Sequence, residues 1–267
     1  MLETMKTTIR DALPSRYQVP LKYLYSKLRG DLEPEMALLP MLLKRSDRVI
    51  DIGSNRGVYA FSFAKLANRV ELFEPNPACS KVLASWAAQK PNVRLHPVAL
   101  SDHEGSAELH IPVDASGVEH DSSASIEKTH TGQFREQVVP LATLDSFQFI
   151  QVSLIKIDVE GHELSVVQGS KKTIALDKPA LLIEIEKRHV SHSFSATFNL
   201  LQDEGYRPFF FDSKILRPID EFDVDRDQCL GNLEASNSRY INNFLFLHAT
   251  RIDNGSYAQL FHRWGRR

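Results

Sequence analysis

The sequence predicts an α/β fold in which helices cover both faces of a doubly wound, mostly parallel sheet. From residue 48 onward, short β-branched runs alternate with segments of helical periodicity, the pattern of repeated strand–helix–strand units. Gly, Pro and Asn punctuate the boundaries between these segments. The composition, 42% hydrophobic and 25% charged over 267 residues, is ordinary for a globular chain with a full core.

The bulk properties argue against several classes of protein. A net charge of -2 argues against a dedicated nucleic-acid binder, which would usually be basic. The two cysteines, Cys79 and Cys229, have no zinc-ligand spacing and favour a reducing compartment over a disulfide scaffold. The sequence has neither a signal-peptide core nor an apolar run of about 18 residues. We therefore expect a cytoplasmic protein.

Residues 1–45 precede the alternating region and are predicted to form a helical extension. Apolar residues at helical spacing run to Leu28, with Gly30 as a stop, and Pro34 opens a second helix that Pro40 interrupts. We expect this extension to cap the main domain. Contact with a membrane surface or with a partner stays the alternative.

The alternating region begins with three strands separated by two helices. We place the strands at 48–52, 69–74 and 93–100 and the helices at 58–67 and 77–88. This order predicts parallel pairing with right-handed crossovers.

The rhythm then changes to a predicted antiparallel pair. Residues 106–113 and 137–144 alternate apolar and polar side chains, as half-buried strands do. The polar stretch 114–133 between them lacks periodicity, and such a long structureless segment in a compact domain is usually functional or disordered. We assign it as a candidate lid over the acceptor, with His120 and His130 as solvated rather than catalytic residues.

Strand and helix alternate again in the last part of the chain. We place strands at 153–159, 180–186 and 241–248, a helix from Gly161 to about residue 175, a helix at 195–204 and a hairpin across 207–218. The elements together predict a main domain over residues 46–248. We expect the tail at 249–267 to be a docked helix, with membrane-surface contact as the alternative.

The first strand runs into the turn DIGSNRG, which contains Asp51, Gly53, Asn55 and Gly57. Ligands of doubly wound sheets bind at the carboxyl ends of the strands, and the two glycines permit close approach of the backbone to a ligand. Dinucleotide-binding turns aim amides at a pyrophosphate, which Asp51 would repel. The carboxylate suits a ligand with a cationic end instead, such as S-adenosylmethionine. An ordinary strand–helix turn without a ligand is the alternative.

Glu74 ends the second strand about 20 residues after Gly53, the spacing at which an acidic side chain accepts hydrogen bonds from ribose hydroxyls. Since NAD carries the same ribose, Glu74 indicates a nucleoside, whereas Asp51 selects between the cofactors. At the end of the third strand, we expect Ala99 to Asp102 to border the adenine, with Ser101 or Asp102 as the partner of its exocyclic amine. An ordinary strand-to-turn exit is the alternative.

A second motif, IKIDVEGHE, places three carboxylates and an imidazole at the end of another predicted strand. We assign Asp158 to the cofactor or the acceptor, and Glu160 or His162 as the general base. A divalent ion held by Asp158, Glu160 and Glu184 or Glu186 stays an alternative. No spacing demands that ion, so no metal ligand is assigned.

Five blocks of the sequence together resemble the FkbM family of S-adenosylmethionine-dependent methyltransferases. These blocks are VIDIGSNRGVYAFSFA, ELFEPNP, VALSDHEGSAEL, IKIDVEGHELSVVQGS and LLIEI, in the family's order between about residues 46 and 248. The resemblance implies a Rossmann-like class I methyltransferase fold of seven strands, the last of them antiparallel. Ser54 stands where the family often has alanine, and both residues are small.

The resemblance also implies O-methylation of a hydroxyl on a sugar, a lipid or a polyketide-type small molecule, so we expect a glycan or small-molecule acceptor. In the first two blocks, we count Ser54, Tyr59, Pro75 and Asn76 with the cofactor site. A nicotinamide-dependent oxidoreductase and a non-catalytic module that binds the cofactor or a partner are the alternatives. The identity of the acceptor and the oligomeric state stay open.

Overall fold

The computed structural model describes residues 13–115, 117–127, 132–189, 194–229, 231 and 240–265. The strands are β1 Arg48–Ile52, β2 Arg69–Phe73, β3 Val93–His96, β4 Ala99–Leu100, β5 Gly105–Val113, β6 Gln133–Ala142, β7 Val152–Ile157, β8 Ala180–Glu184, β9 Tyr206–Phe211, β10 Leu216–Pro218 and β11 Asn243–His248. The α-helices are α1 Ser15–Arg29, α2 Leu39–Leu42, α3 Val58–Leu66, α4 Pro77–Ala87, α5 Glu163–Gln168, α6 Lys171–Asp177, α7 Ala196–Asp203, α8 Val224–Asp227, α9 Ala249–Asp253 and α10 Ala258–Trp264. Short 3₁₀ turns cover Pro34–Ala37, Asp121–Ser123, Leu144–Phe147 and Ile219–Glu221.

The main sheet is mostly parallel, as predicted, with the strand order β10-β9-β11-β8-β7-β1-β2-β3. The central strand β1 pairs in parallel with β2 and β7, and β11 runs antiparallel between β8 and β9. The antiparallel last strand is thus confirmed. The prediction of seven strands is wrong by one, because β10 folds back on β9 and pairs Leu216 with Phe211 at the edge.

Apolar layers cover both faces of this sheet, which explains the β-branched runs in its strands. Val49 and Ile50, neighbours on β1, are both fully buried but belong to opposite layers. Phe63 of α3 and Leu83 of α4 pack on one face, and Val166 of α5 packs on the other. Central parallel strands buried on both faces lose the polar alternation of a half-exposed strand.

The stretch predicted as one strand at 93–100 is split in two, so that prediction is wrong. Pro97 follows β3 and has no amide hydrogen to donate to a ladder. After it, β4 leaves the main sheet and pairs in parallel with β6 in a second sheet of order β4-β6-β5. The predicted antiparallel pair forms the rest of that sheet as β5 and β6.

The helix predicted from Gly161 to residue 175 is also split, into α5 and α6. A Cβ atom on Gly169, between the two helices, would lie 1.9 Å from the carbonyl oxygen of Ser101. The chain therefore passes too close to the end of β4 for any side chain at this position. At the break, the C-terminal end of α5 lies close to the carboxyl end of β4.

Helix α1 lies across α3 and α4, with Val19 fully buried between them. At the other end of the chain, Leu260 of α10 is buried, and Phe261 packs edge-on against Phe209 of β9. Among the described residues, no helix combines the length and the apolar character needed to cross a membrane.

Candidate active site

The turn after β1 lies against the ends of both neighbouring strands. The backbone amides of Gly53 and Ser54 donate to the carbonyl of Phe73, at 2.9 and 3.1 Å. Gly53 has a φ of 79°, and a Cβ atom there would lie 1.7 Å from the carbonyl oxygen of Asp158. Only glycine fits this contact, which places the ends of β1, β2 and β7 side by side.

The Glu74 carboxylate is fixed by two backbone amides. Its Oε2 accepts from the amide of Asn55 at 2.6 Å, and its Oε1 accepts from the amide of Asn76 at 2.8 Å. The Asn76 side chain in turn caps α4 by accepting from the amide of Ala78. Burial raises the pKa of Glu74 to about 7, although the two amide hydrogen bonds favour its charged form. The carboxylate is thus oriented before any ligand binds.

Asp51 presents a buried carboxylate oxygen that no described residue satisfies. Its backbone carbonyl accepts from the Ser54 hydroxyl at 2.9 Å, but its Oδ2 accepts no hydrogen bond from the described residues. Burial raises the pKa of Asp51 to about 7, and the positive charge of Lys156 opposes that shift. A buried acceptor without a partner is costly, so its presence at a cavity wall points to a donor supplied by a ligand.

A segment that we call the strap, residues 114–115 and 117–127, crosses the ends of the main-sheet strands. It contains most of the described part of the lid predicted at 114–133, whose last residue already belongs to β6; His130 lies outside the described residues. The carboxylate of Asp121 accepts from the Asn76 amide group at 3.0 Å and pairs with the Arg56 guanidinium. The backbone carbonyl of Asp121 accepts a longer bond, 3.4 Å, from the Asn55 side chain.

Two cavities lie along the strap. The smaller, about 60 Å³, is lined by residues that include Glu74, Pro75, Ala99, Leu100, Ile126 and His162. The larger, about 510 Å³, is lined by residues that include Asp51, Ser54, Tyr59, His120, Lys156 and Glu184. Asp158, Glu160, Gly53, Asn55 and Asp121 border both cavities. Asp158 and Glu160 therefore lie at the junction between the two spaces.

A buried lysine holds the carboxylates of the larger cavity together. Lys156 is 1% exposed, and its Nζ donates to Asn243 Oδ1 at 3.2 Å and lies over the ring of Tyr59 at 5.2 Å. Burial alone would lower the pKa of Lys156. The carboxylates of Asp158, Glu33, Glu184 and Asp51 outweigh it and raise that pKa, so the ammonium group stays charged.

The N-terminal extension contributes Glu33 to this network. Its Oε2 accepts from the Tyr59 hydroxyl at 2.7 Å and from the Asn243 amide group at 3.0 Å. Sequence reasoning missed Glu33, Lys156 and Asn243. For Lys156 a signal existed, because a charged residue inside the apolar strand SLIKIDV needs buried partners. Nothing in the sequence links Glu33 to Asn243.

The predicted base candidates occupy different surroundings. Glu160, at a φ of 52°, pairs its carboxylate with His189. Burial raises the pKa of Glu160, although the hydrogen bond from His189 opposes the shift. His162 contacts Ser101 Oγ through Nε2 at 3.0 Å and Glu127 through Nδ1 at 2.7 Å. Both its ring nitrogens are engaged, and it lines only the smaller cavity of the two.

Four other predicted residues support the site through a hydrogen bond, the backbone or packing. Ser101 is fully buried, and its hydroxyl contacts Nε2 of His162. Gly57 has a φ of 78° at the start of α3, where a Cβ atom would lie 2.9 Å from Leu83. Pro75 and Ala99 form part of the apolar wall of the smaller cavity. Within the described residues, no group of three or more His, Cys, Asp or Glu side chains is arranged to hold a metal ion.

Comparison with known proteins places this site in a family. The profile described as the Methyltransferase FkbM domain matches residues 51–208. The 2-O-methyltransferase NoeI of Sinorhizobium fredii is 29% identical over 164 residues, which are 55% of this chain and 67% of that protein. The hexuronic acid methyltransferase AglP of Haloferax volcanii is 30% identical over 148 residues, 52% of this chain and 57% of that protein.

A solved structure, the methyltransferase FkbM from Methylobacillus flagellatus KT, is 16% identical with a TM-score of 0.47, over 90% of this chain and 57% of that one. The chain thus spans just over half the length of AglP and of this structure. The matched family region begins at Asp51 and contains Glu74, Lys156, Asp158 and Glu160. Since the family profile covers more than half of the sequence, this chain belongs to the FkbM methyltransferase family and is a methyltransferase.

Proposed function

We propose that the protein transfers a methyl group from S-adenosylmethionine to a hydroxyl of a sugar, carried by a glycan, a glycolipid or a related small molecule. The observation that carries the proposal is the pair of buried carboxylates at the ends of β1 and β2. Asp51 offers an unsatisfied acceptor oxygen, and Glu74 is held in place by backbone amides. Membership in the FkbM family supplies the reaction class.

The residues present fit this cofactor. S-adenosylmethionine supplies an electrophilic methyl group on a positively charged sulfur, together with an ammonium group and a ribose. The unsatisfied Oδ2 of Asp51 suits the cationic amino-acid end, since a charged donor would satisfy it. Glu74, held by Asn55 and Asn76, suits the ribose hydroxyls. Pro75, Ala99 and Leu100 give an apolar surface for the adenine.

The larger cavity suits a hydroxyl-rich acceptor. Its wall carries Lys156 and the carboxylates of Glu33, Asp158, Glu160 and Glu184, which donate and accept hydrogen bonds as a sugar ring requires. The names of two relatives point in the same direction, because NoeI is a 2-O-methyltransferase and AglP a hexuronic acid methyltransferase. We infer that the acceptor enters this cavity, while the nucleoside lies toward the smaller one.

Glu160 is our candidate for the general base. Glu160 borders both cavities, and its raised pKa brings it closer to the operating pH of a base. His189 contacts the same carboxylate and can receive a proton from it or return one. Asp158, which pairs with Lys156, is our candidate for orienting the acceptor hydroxyl. His162, bound to Ser101 and to Glu127 of the strap, is a positioning residue in this scheme.

Two measurements test the proposal. Isothermal titration should show tight binding of S-adenosylhomocysteine and none of NAD; the reverse result would rule out S-adenosylmethionine as the cofactor of this site. Deletion of the gene, followed by mass spectrometry of cellular glycans and glycolipids, should remove an O-methyl group from a sugar. If every methylated sugar persists after deletion, the sugar acceptor is wrong and the methyl group goes to another molecule.

A further inference from the structure

Helix α1 carries a continuous apolar stripe on its outer face. Tyr17, Leu21, Leu24, Tyr25 and Leu28 recur at helical spacing and are all exposed, Leu28 to 79%. The other exposed large apolar side chains in the described residues are Leu13, just before α1, and Val138, Ile150 and Leu176, which are scattered over β6, a loop and α6. Single exposed apolar residues are ordinary, but a stripe along one helix marks an interaction surface.

The core does not account for this stripe, because the opposite side of α1 already makes the packing contacts. Val19 and Ser26 are buried there, and α1 lies against α3 and α4. The ring of Tyr23 packs on Phe61 of α3 with centroids 4.6 Å apart. The helix is therefore fixed to the domain by one face and presents the other to its surroundings.

The charges around the stripe select its occupant. Arg16, Lys22, Lys27 and Arg29 are exposed on α1, and the sequence of the helix contains no Asp or Glu. Two copies of the chain meeting through this face would bring like charges together, which opposes a symmetric dimer. A bilayer with anionic headgroups complements both the cations and the apolar stripe of α1, since its headgroups attract the cations and its interior accepts the apolar side chains.

We propose that α1 is a peripheral membrane anchor, lying in the interface of an anionic lipid bilayer with its apolar stripe in the acyl boundary. The two tyrosines suit this depth, because their rings are apolar and their hydroxyls reach the headgroups. Lys22, on the same helix, lines the larger cavity. Anchoring through α1 thus holds the larger cavity close to the membrane surface. The proposal concerns surface binding, so it stands or fails independently of methyl transfer.

Co-sedimentation of the full chain with lipid vesicles tests the anchor. We expect binding to phosphatidylcholine vesicles that contain about 30% phosphatidylglycerol, weaker binding at high salt, and little binding to phosphatidylcholine alone. The double variant Leu24→Ser/Leu28→Ser should lower the partition coefficient by at least about tenfold. Replacing the cations, in Arg16→Ser/Lys27→Ser, should lower it by a similar factor and reduce the salt dependence.

Matched controls separate the helix from the general surface. Leu176 of α6 is 67% exposed, between the values of Leu24 and Leu28. Leu176→Ser should therefore leave vesicle binding unchanged if the effect belongs to α1. Lys90→Ser/Lys171→Ser removes two exposed lysines outside α1 and should also leave vesicle binding unchanged. Because all these side chains are exposed, every variant should unfold at the wild-type temperature. Binding that the α1 variants leave intact, or an absence of binding to anionic vesicles, would overturn the proposal. So would a dimer in analytical ultracentrifugation that Leu24→Ser/Leu28→Ser converts to monomer.

Discussion

The Nζ atom of Lys156 lies 3.6 Å from Oδ2 of Asp158 at the carboxyl end of β7. The two residues are two positions apart on an extended chain, so their side chains leave the same side of the strand. Glu184 of the neighbouring strand approaches the same ammonium group, 3.9 Å away. A buried cation thus balances the negative charge around the larger cavity, and this balance sets the stability of the site.

Replacement of Lys156 should destabilise the fold strongly. The variant Lys156→Met keeps the volume of the side chain but leaves Asp158 and Glu184 without their counter-charge. Removing one partner from a buried ion pair costs about 3–5 kcal/mol, and chemical denaturation should show a loss of that size. The exposed Lys81→Met is the control and should change the free energy of unfolding by less than about 0.5 kcal/mol. Equal stability of the two variants would contradict the role given to Lys156.

Asp51 should contribute to cofactor affinity through its charge. Asp51→Asn keeps the shape of the side chain but removes the negative charge that suits a cationic ligand. We expect the Kd for S-adenosylhomocysteine to rise about 10–100-fold in isothermal titration, which corresponds to about 1.5–3 kcal/mol. Ser54→Ala, which removes the hydroxyl that donates to the Asp51 carbonyl but keeps the Asp51 carboxyl group, should have a much smaller effect. An unchanged Kd in Asp51→Asn would remove this residue from the cofactor site.

Two glycines with the same backbone conformation should differ in their tolerance of alanine. Gly53 and Gly255 have φ values of 79° and 78°, but only at Gly53 would a Cβ atom meet backbone, 1.7 Å from the carbonyl oxygen of Asp158. Gly255→Ala should cost about 1–2 kcal/mol from the left-handed conformation alone. Gly53→Ala should cost clearly more and abolish cofactor binding, as denaturation and titration would show. If the two variants are equally stable, the close approach of the strand ends is not needed.

Glu163 should make the stability of the protein depend on pH. It is buried at the start of α5, and burial raises its pKa from 4.5 to about 7, although its hydrogen bond from the Gly161 amide opposes the shift. The native state therefore holds a proton that the unfolded chain releases between these values. The stability that goes with that proton is fully present below about pH 4.5 and is lost as the pH rises through about 7, a loss of up to about 3 kcal/mol.

The variant Glu163→Gln isolates this effect, because glutamine can still accept from the Gly161 amide but does not ionise. Denaturation at pH values from about 5 to 8 should show that the free energy of unfolding of the wild type falls relative to that of the variant as the pH rises. Parallel pH profiles for the two proteins would mean that Glu163 is already ionised throughout this range.

Glu160→Gln should slow methyl transfer without weakening the binding of the cofactor. Loss of a general base lowers kcat by about 10²–10⁴-fold, whereas the Kd for S-adenosylhomocysteine should stay within about threefold of the wild type. Glu119→Gln provides a matched control, because Glu119 also lines the larger cavity but pairs with Arg135. A kcat in Glu160→Gln equal to that of the control would transfer the role of base to another residue.

Local patterns predicted the ends of β1 and β2 because the chemistry there depends on neighbours in sequence. The turn after Asp51 and the spacing to Glu74 are short-range features that the sheet places side by side. The contact between Glu33 and Asn243 joins opposite ends of the chain, and no periodicity encodes it. The breaks at Pro97 and Gly169 likewise depend on the second sheet and on the Ser101 carbonyl, which only the folded chain brings into contact.

The ion pair of Asp121 with Arg56 and its hydrogen bond from Asn76 have a consequence for the rate of turnover. The strap closes over the same strand ends that are proposed to hold the nucleoside, and the cavity beneath it measures only about 60 Å³. A nucleoside bound there would lie under the contacts that Asp121 makes with Arg56 and Asn76. Its departure would require these contacts to open, so we expect release, rather than the methyl-transfer step, to limit repeated cycles.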